Sequence, residues 1–152
     1  MYKKFIFLFF IYCISVTKVS AISTVYFIWS FGRSVWKEIP FSINGYQAFS
    51  LIGKPLKKIA DFQYYSKSIR KVMFTKEGKY IVSADQTWYE KPYHTEVVLN
   101  LEDDDVYYIE LQCNISNSFN LKILSNKEGE KKIMKMMNDD KVSVNPEIVY
   151  GK

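Results

Sequence analysis

The sequence predicts an all-β sandwich of seven or eight mostly antiparallel strands with a short C-terminal helix. Three observations carry this. Apolar and polar residues alternate along several short segments, most clearly from Val106 to Ile123, where Tyr107, Ile109, Leu111, Cys113 and Ile115 interleave with Tyr108, Glu110, Gln112 and Asn114. Turn-forming residues punctuate these segments, as at Asn44-Gly45, Gly53-Lys54-Pro55 and Ser116-Asn117-Ser118. Aromatic residues make up 17% of the chain, and beside β-branched neighbours they suit a pleated surface better than a helix.

The first 21 residues read as a targeting segment outside the fold. Met1-Tyr2-Lys3-Lys4 is basic, Phe5 to Val16 is an apolar run, and Val19-Ser20-Ala21 offers small or β-branched residues before a cut, which is the layout of a secretory signal peptide. The run is shorter than the roughly 20 residues a membrane-crossing helix needs, so cleavage after Ala21 is favoured over a retained membrane anchor. Export to the periplasm or outside the cell follows as the expected localisation. Cleavage takes Lys3, Lys4 and Lys18 with it, so the formal charge falls from +5 to +2 over the remaining 131 residues. That length suits one sandwich domain, expected over 22–138, with a flexible tail over 139–152.

The elements follow in order. Val25 to Trp29 is apolar and strand-forming, a first strand buried on both faces. Phe31 to Lys37 reads as a loop in which Trp36 either caps the core or lies exposed. Asn44-Gly45 is a strong hairpin signal, pairing Ile43 with Tyr46 and Phe41 with Ala48. Phe49 and Leu51 then fall on the opposite face, which requires a bulge or a strand covered on both sides. Leu56 to Ser68 has no steady period and reads as a connector with at most one short strand. Val72 and Phe74 lead into Thr75 to Lys79, and Tyr80, Val82 and Ala84 lead out, which suggests a second hairpin. Asp85 to Thr95 reads as an aromatic loop, with Pro92 opposing regular pairing. Val97 to Leu101 is a strand ending in the acidic turn Glu102 to Asp105, and Val106 to Ile123 is a hairpin with one apolar wall and one wet face. Glu128 to Met137 reads as a short amphipathic helix against a sheet edge.

Composition removes several function classes. No block of five or six like charges exists in the mature chain, so nucleic acid is not an expected partner, and the membrane is one only through an uncleaved signal peptide. No glycine cluster cradles a phosphate, and no cofactor is expected. Glu102 to Asp105 lacks the spacing of a calcium loop, and His94, the single histidine, would have to join a buried Cys113 to hold a transition metal, so no metal site is expected. Cys113 alternates in phase with Ile109 and Leu111 and reads as a small buried hydrophobe. Asn114-Ile115-Ser116 matches a glycosylation sequon but lies in an expected strand. A hydrolase would have to use His94 as its base, a remote reading that leaves the protein expected to be no enzyme.

The aromatic loop carries the one functional expectation. Trp88, Tyr89 and Tyr93, with His94, offer rings that stack on sugars or anchor a protein partner at small entropic cost. The competing reading places these rings in a core that has no disulfide to hold it.

The succession of Val25-Tyr26-Phe27-Ile28, Ile43-Asn44-Gly45, Arg70-Lys71-Val72, Glu77-Gly78-Lys79-Tyr80, Leu99 to Leu101 and Val106-Tyr107-Tyr108-Ile109 resembles a bacterial family known as domain of unknown function 2846. The likeness covers about Val25 to Lys132, and departs from the family pattern at Glu77, Tyr80 and Asp105 and in lacking a lipid-anchor cysteine. It implies an exported protein with a PEGA-like or prealbumin-like β-sandwich and carries over no catalytic residue. The sequence thus points to an exported, non-enzymatic domain that binds a protein or glycan at the cell envelope, or to a structural accessory without a small ligand.

Overall fold

A computed structural model describes residues 23–32, 34–113 and 119–151. The signal-peptide reading over residues 1–21 and the Asn114 sequon lie outside these residues. Two sheets pack face to face. The chain runs β1 (Ser23–Trp29), β2 (Glu38–Ile43), β3 (Tyr46–Ile52), β4 (Ser68–Phe74), β5 (Gly78–Trp88), β6 (Lys91–Leu101), β7 (Val106–Cys113), β8 (Phe119–Leu124), helix α1 (Asn126–Met137), β9 (Ser143–Val144) and β10 (Ile148–Tyr150). Ten strands are thus present among the described residues, against the seven or eight expected. The larger sheet has the order β10-β4-β1-β7-β8 with β9 also on β4, and the smaller has the order β3-β2-β5-β6.

β1 is the centre of the large sheet, antiparallel to β4 and parallel to β7. Its alternation is used on both sides: Val25, Phe27 and Trp29 enter the core between the sheets, while Ile28 and Tyr26 join a second cluster outside it. The inter-sheet core also takes Ile39, Phe41 and Leu51 from the small sheet and Ile109 and Leu111 from β7. Phe27 meets Phe41 and Phe49 edge-on, with centroids 5.3 and 4.7 Å apart, so three rings hold the middle of the sandwich.

The β2–β3 hairpin turns at Asn44-Gly45, both at positive φ, and Ile43 pairs with Tyr46. The register shifts at Phe41/Ser42, so Phe41 pairs with Phe49 rather than Ala48. This bulge turns Phe49 and Leu51 into the core.

Three expectations are corrected. The Thr75–Lys79 turn does not close a hairpin: β4 belongs to the large sheet and β5 to the small one, so the turn carries the chain across the sandwich. The outer face of β7 is not wet throughout, because Tyr108 and Glu110 are both buried under α1. The tail beyond Asn138 is docked: Val142 and Asn145 are buried, and β9 and β10 run parallel along β4. Lys71 pairs with Glu147 at 2.8 Å, and Tyr150 packs on Phe74 and Tyr80, which adds contact area where the paired strands are only two and three residues long.

Helix α1 begins with a capping box, in which the Ser125 hydroxyl accepts from Glu128 N–H and the Glu128 carboxylate accepts from Ser125 N–H. It lies on the sheet face over β7 rather than along an edge. Gly129 makes that approach feasible, since a Cβ there would sit 2.0 Å from Cγ of Tyr108. Glycine weakens a helix interior by about 1 kcal/mol relative to alanine, but here the backbone rests directly on a ring. No helix among the described residues is long and apolar enough to cross a membrane.

Candidate functional site

The segment read as an aromatic loop is the closed end of a long hairpin. β5 and β6 stay paired from Gly78↔Leu101 to Trp88↔Lys91, leaving only Tyr89 and Glu90 as the turn. Both have positive φ, 47° and 63°, as a two-residue turn matching strand twist requires. Such turns normally use Asn-Gly because a side chain crowds the left-handed region. Pro92 is accommodated because β6 is an edge strand of its sheet.

Strand alternation divides the four expected site residues. Tyr93 faces inward, half-buried, with its ring 6.1 Å from Trp36 and 6.0 Å from Phe119. His94 faces the opposite side and is exposed. Trp88 is half-buried, edge-on to Trp36 at 6.4 Å and to Tyr89 at 4.7 Å, and Tyr89 projects from the turn with 78% of its surface exposed. Trp36 joins these rings to the core and donates from Nε1 to Thr87 O at 3.2 Å. It resolves as a half-buried plug under the hairpin end, the core-capping alternative of its sequence reading.

Val35, Phe62, Gln63, Trp88 and Tyr89 line an open hollow of about 300 Å³. Phe62, 51% exposed, comes from the connector between β3 and β4. The site therefore draws on three segments, and the Phe62 contribution was hidden in a stretch without periodicity. Tyr93 buttresses the hollow from below through Trp36, and His94 lies on the far side of the strand.

His94 is held by carboxylates. Its Nδ1 lies 2.6 Å from Oδ1 of Asp85, its cross-strand neighbour, and its Nε2 lies 3.7 Å from Glu96. The hydrogen bond to Asp85, reinforced by both negative charges, raises the imidazole pKa against the opposing effect of burial. Among the described residues its side-chain hydrogen-bond and ion-pair partners are these carboxylates, not a hydroxyl or thiol that it could deprotonate.

A second polar constellation escaped sequence reading because Glu110 looked like an outward strand residue. It is 2% exposed and is bonded by Ser30 Oγ, Lys132 Nζ and Gln112 Nε2. Burial pushes its pKa up, but these hydrogen bonds, led by that from Lys132, outweigh burial and hold it below the ordinary carboxylate value. Cys113 lines the same shallow recess, half-buried, with its thiol pKa raised by burial and therefore held in the unreactive protonated form. No group of three or more metal-ligating side chains occurs among the described residues.

No protein-family model matches this chain, and comparison with curated proteins finds no relative.

Proposed function

We propose that the protein is an exported, non-enzymatic β-sandwich that binds a protein or glycan at the cell envelope or outside the cell through the closed end of the β5–β6 hairpin. The family likeness noted in the sequence belongs to the same reading. One observation carries it above the others: Tyr89 stands exposed on a turn whose positive φ values disfavour a large side chain, beside Trp88 and the hollow they share with Phe62. Strained, exposed aromatic residues on a rigid scaffold suit recognition better than core formation. Within the expected set, Trp88 and Tyr89 are the contact residues, Tyr93 supports them, and His94 lies outside the contact.

The alternative, a structural accessory with internal aromatics, draws on Tyr93 and Trp36, which pack against the core. Alanine substitution separates the readings. Trp88→Ala with Tyr89→Ala should abolish binding to a captured protein or to a glycan-array ligand while lowering stability by no more than about 1–2 kcal/mol, because Tyr89 is exposed and Trp88 half-buried. A loss of stability near that of a buried aromatic, about 3–5 kcal/mol, would favour the accessory reading.

A further inference from the structure

The connector between β3 and β4 is a built wall with a different hollow on its other side. Its arms are tied by Leu56 N–H to Tyr64 O at 2.8 Å, by Ser66 N–H to Lys54 O at 2.9 Å, and by reciprocal bonds between Ile59 and Phe62 at 3.1 Å. Gln63 Nε2 spans them, donating to Leu56 O at 2.6 Å and Tyr64 O at 2.8 Å. At its base Gly53 lets the arms close, since a Cβ there would lie 2.7 Å from Ser66 O. One side of this excursion gives Phe62 and Gln63 to the aromatic hollow, and the other gives Leu56, Lys57, Ile59 and Tyr64 to a hollow of about 490 Å³.

The opposite wall of that larger hollow is the docked tail. Asp139, Lys141 and Val142 line it, and Ser143 N–H donates to Lys67 O at 2.8 Å, which fixes the tail wall against the Lys67 segment. Lys57 and Lys67 from the connector and Lys141 from the tail thus line one concavity, and none of them forms an ion pair among the described residues. The one carboxylate present, Asp139, accepts from Lys141 N–H at 3.0 Å. Unpaired cations around a recess that also presents Tyr64 and Ile59 suit an anion carried on a larger body, because the charges supply attraction and the ring and aliphatic groups supply contact area.

We infer that this hollow seats the acidic group, a uronate carboxylate or a sulfate ester, of an acidic glycan whose sugar rings extend over the shared wall toward Trp88 and Tyr89. The inference rests on the aromatic hairpin end being a ligand surface, and one experiment tells a failure of the anion seat from a failure of that surface. Calorimetric titration of the full chain would use oligogalacturonate, a chondroitin sulfate oligosaccharide, a neutral xylo-oligosaccharide of equal length, and inorganic sulfate. At least one acidic oligosaccharide should bind, more weakly as ionic strength rises, with the neutral oligosaccharide and free sulfate at least about tenfold weaker. Lys67→Ala with Lys141→Ala should cost about tenfold or more, and Lys67→Arg with Lys141→Arg should restore most of it. Circular dichroism checks that each variant is folded. Absence of binding by both acidic oligosaccharides, equal binding of the neutral one or of free sulfate, or indifference to the lysine substitutions overturns the inference. Trp88→Ala with Tyr89→Ala then separates the readings. Binding lost only in the lysine variants upholds the anion seat and removes the aromatic surface, whereas binding lost only in the aromatic variant does the reverse.

Discussion

The side-chain amide of Asn145 pairs with Ile52 as a neighbouring strand would, its Oδ1 accepting from Ile52 N–H and its Nδ2 donating to Ile52 C=O, both at 2.8 Å. Ile52 ends β3, the outer strand of the small sheet, whereas Asn145 lies between β9 and β10 on the large one. One buried amide therefore ties the two sheets together along this side of the sandwich. On the other side the bond from Leu121 N–H to Thr95 Oγ1, 3.0 Å long, joins β8 to β6 in the same manner.

Replacing Asn145 by alanine leaves both backbone groups of Ile52 without their protein partner, and the cost should be about 1–3 kcal/mol in urea unfolding. Truncation after Asn138 should cost more, because it also removes buried Val142 and the contacts of Tyr150 with Phe74 and Tyr80. A truncated chain with unchanged stability would show that the tail does not dock in solution.

What the sequence revealed and what it hid divide along the range of the interactions. Alternation in β2, β4 and β7 and the apolar run of β1 are local, so these strands were legible from side-chain order alone, whereas the bulge in the β2–β3 hairpin was one of two alternatives that order left open. Partner choice is not local. Nothing in Thr75 to Lys79 distinguishes a turn that returns from one that crosses to the other sheet, and the parallel pairing of β1 with β7 joins segments about eighty residues apart. Glu110 misled for the same reason, since its cover is a helix that begins sixteen residues later. β9 and β10 are too short to show a period. At the hairpin end the signal was inverted: Tyr89-Glu90 contains no turn-forming residue and Pro92 argued against a strand, so an edge hairpin read as a loop. Trp88, Tyr89, Tyr93 and His94 were picked out by residue type, but only the strand geometry separates exposed Tyr89 from supporting Tyr93.

The ion pair between Glu110 and Lys132 should respond asymmetrically to mutation. Glu110 is buried, while the Lys132 side chain keeps 34% of its surface in solvent. Lys132→Met strands a buried carboxylate with only Ser30 and Gln112 as donors, and should cost about 3 kcal/mol or more. Glu110→Gln leaves a lysine that can turn to water, and should cost nearer 1 kcal/mol. Because the folded-state pKa of Glu110 lies below its unfolded value, its contribution is present above the ordinary carboxylate pKa and is lost as pH falls through the folded value. The wild type should therefore lose more stability than Glu110→Gln when pH is lowered from about 5 to about 3. Parallel pH profiles for the two proteins would contradict this.

The turn at Tyr89 and Glu90 sets stability against recognition. Glycine adopts positive φ without the side-chain crowding that Glu90 suffers at 63°, so Glu90→Gly should raise stability by about 1 kcal/mol and leave binding in place. Adding Tyr89→Asn relieves the residue at φ 47° as well, and the resulting Asn-Gly turn should bring the gain to about 1–2 kcal/mol. The second substitution also deletes the exposed ring, so ligand affinity should fall as thermal stability rises. Melting temperature and titration of the three proteins decide the matter: a double variant that is more stable and still binds like wild type would leave the tyrosine without a functional reason to occupy a strained position.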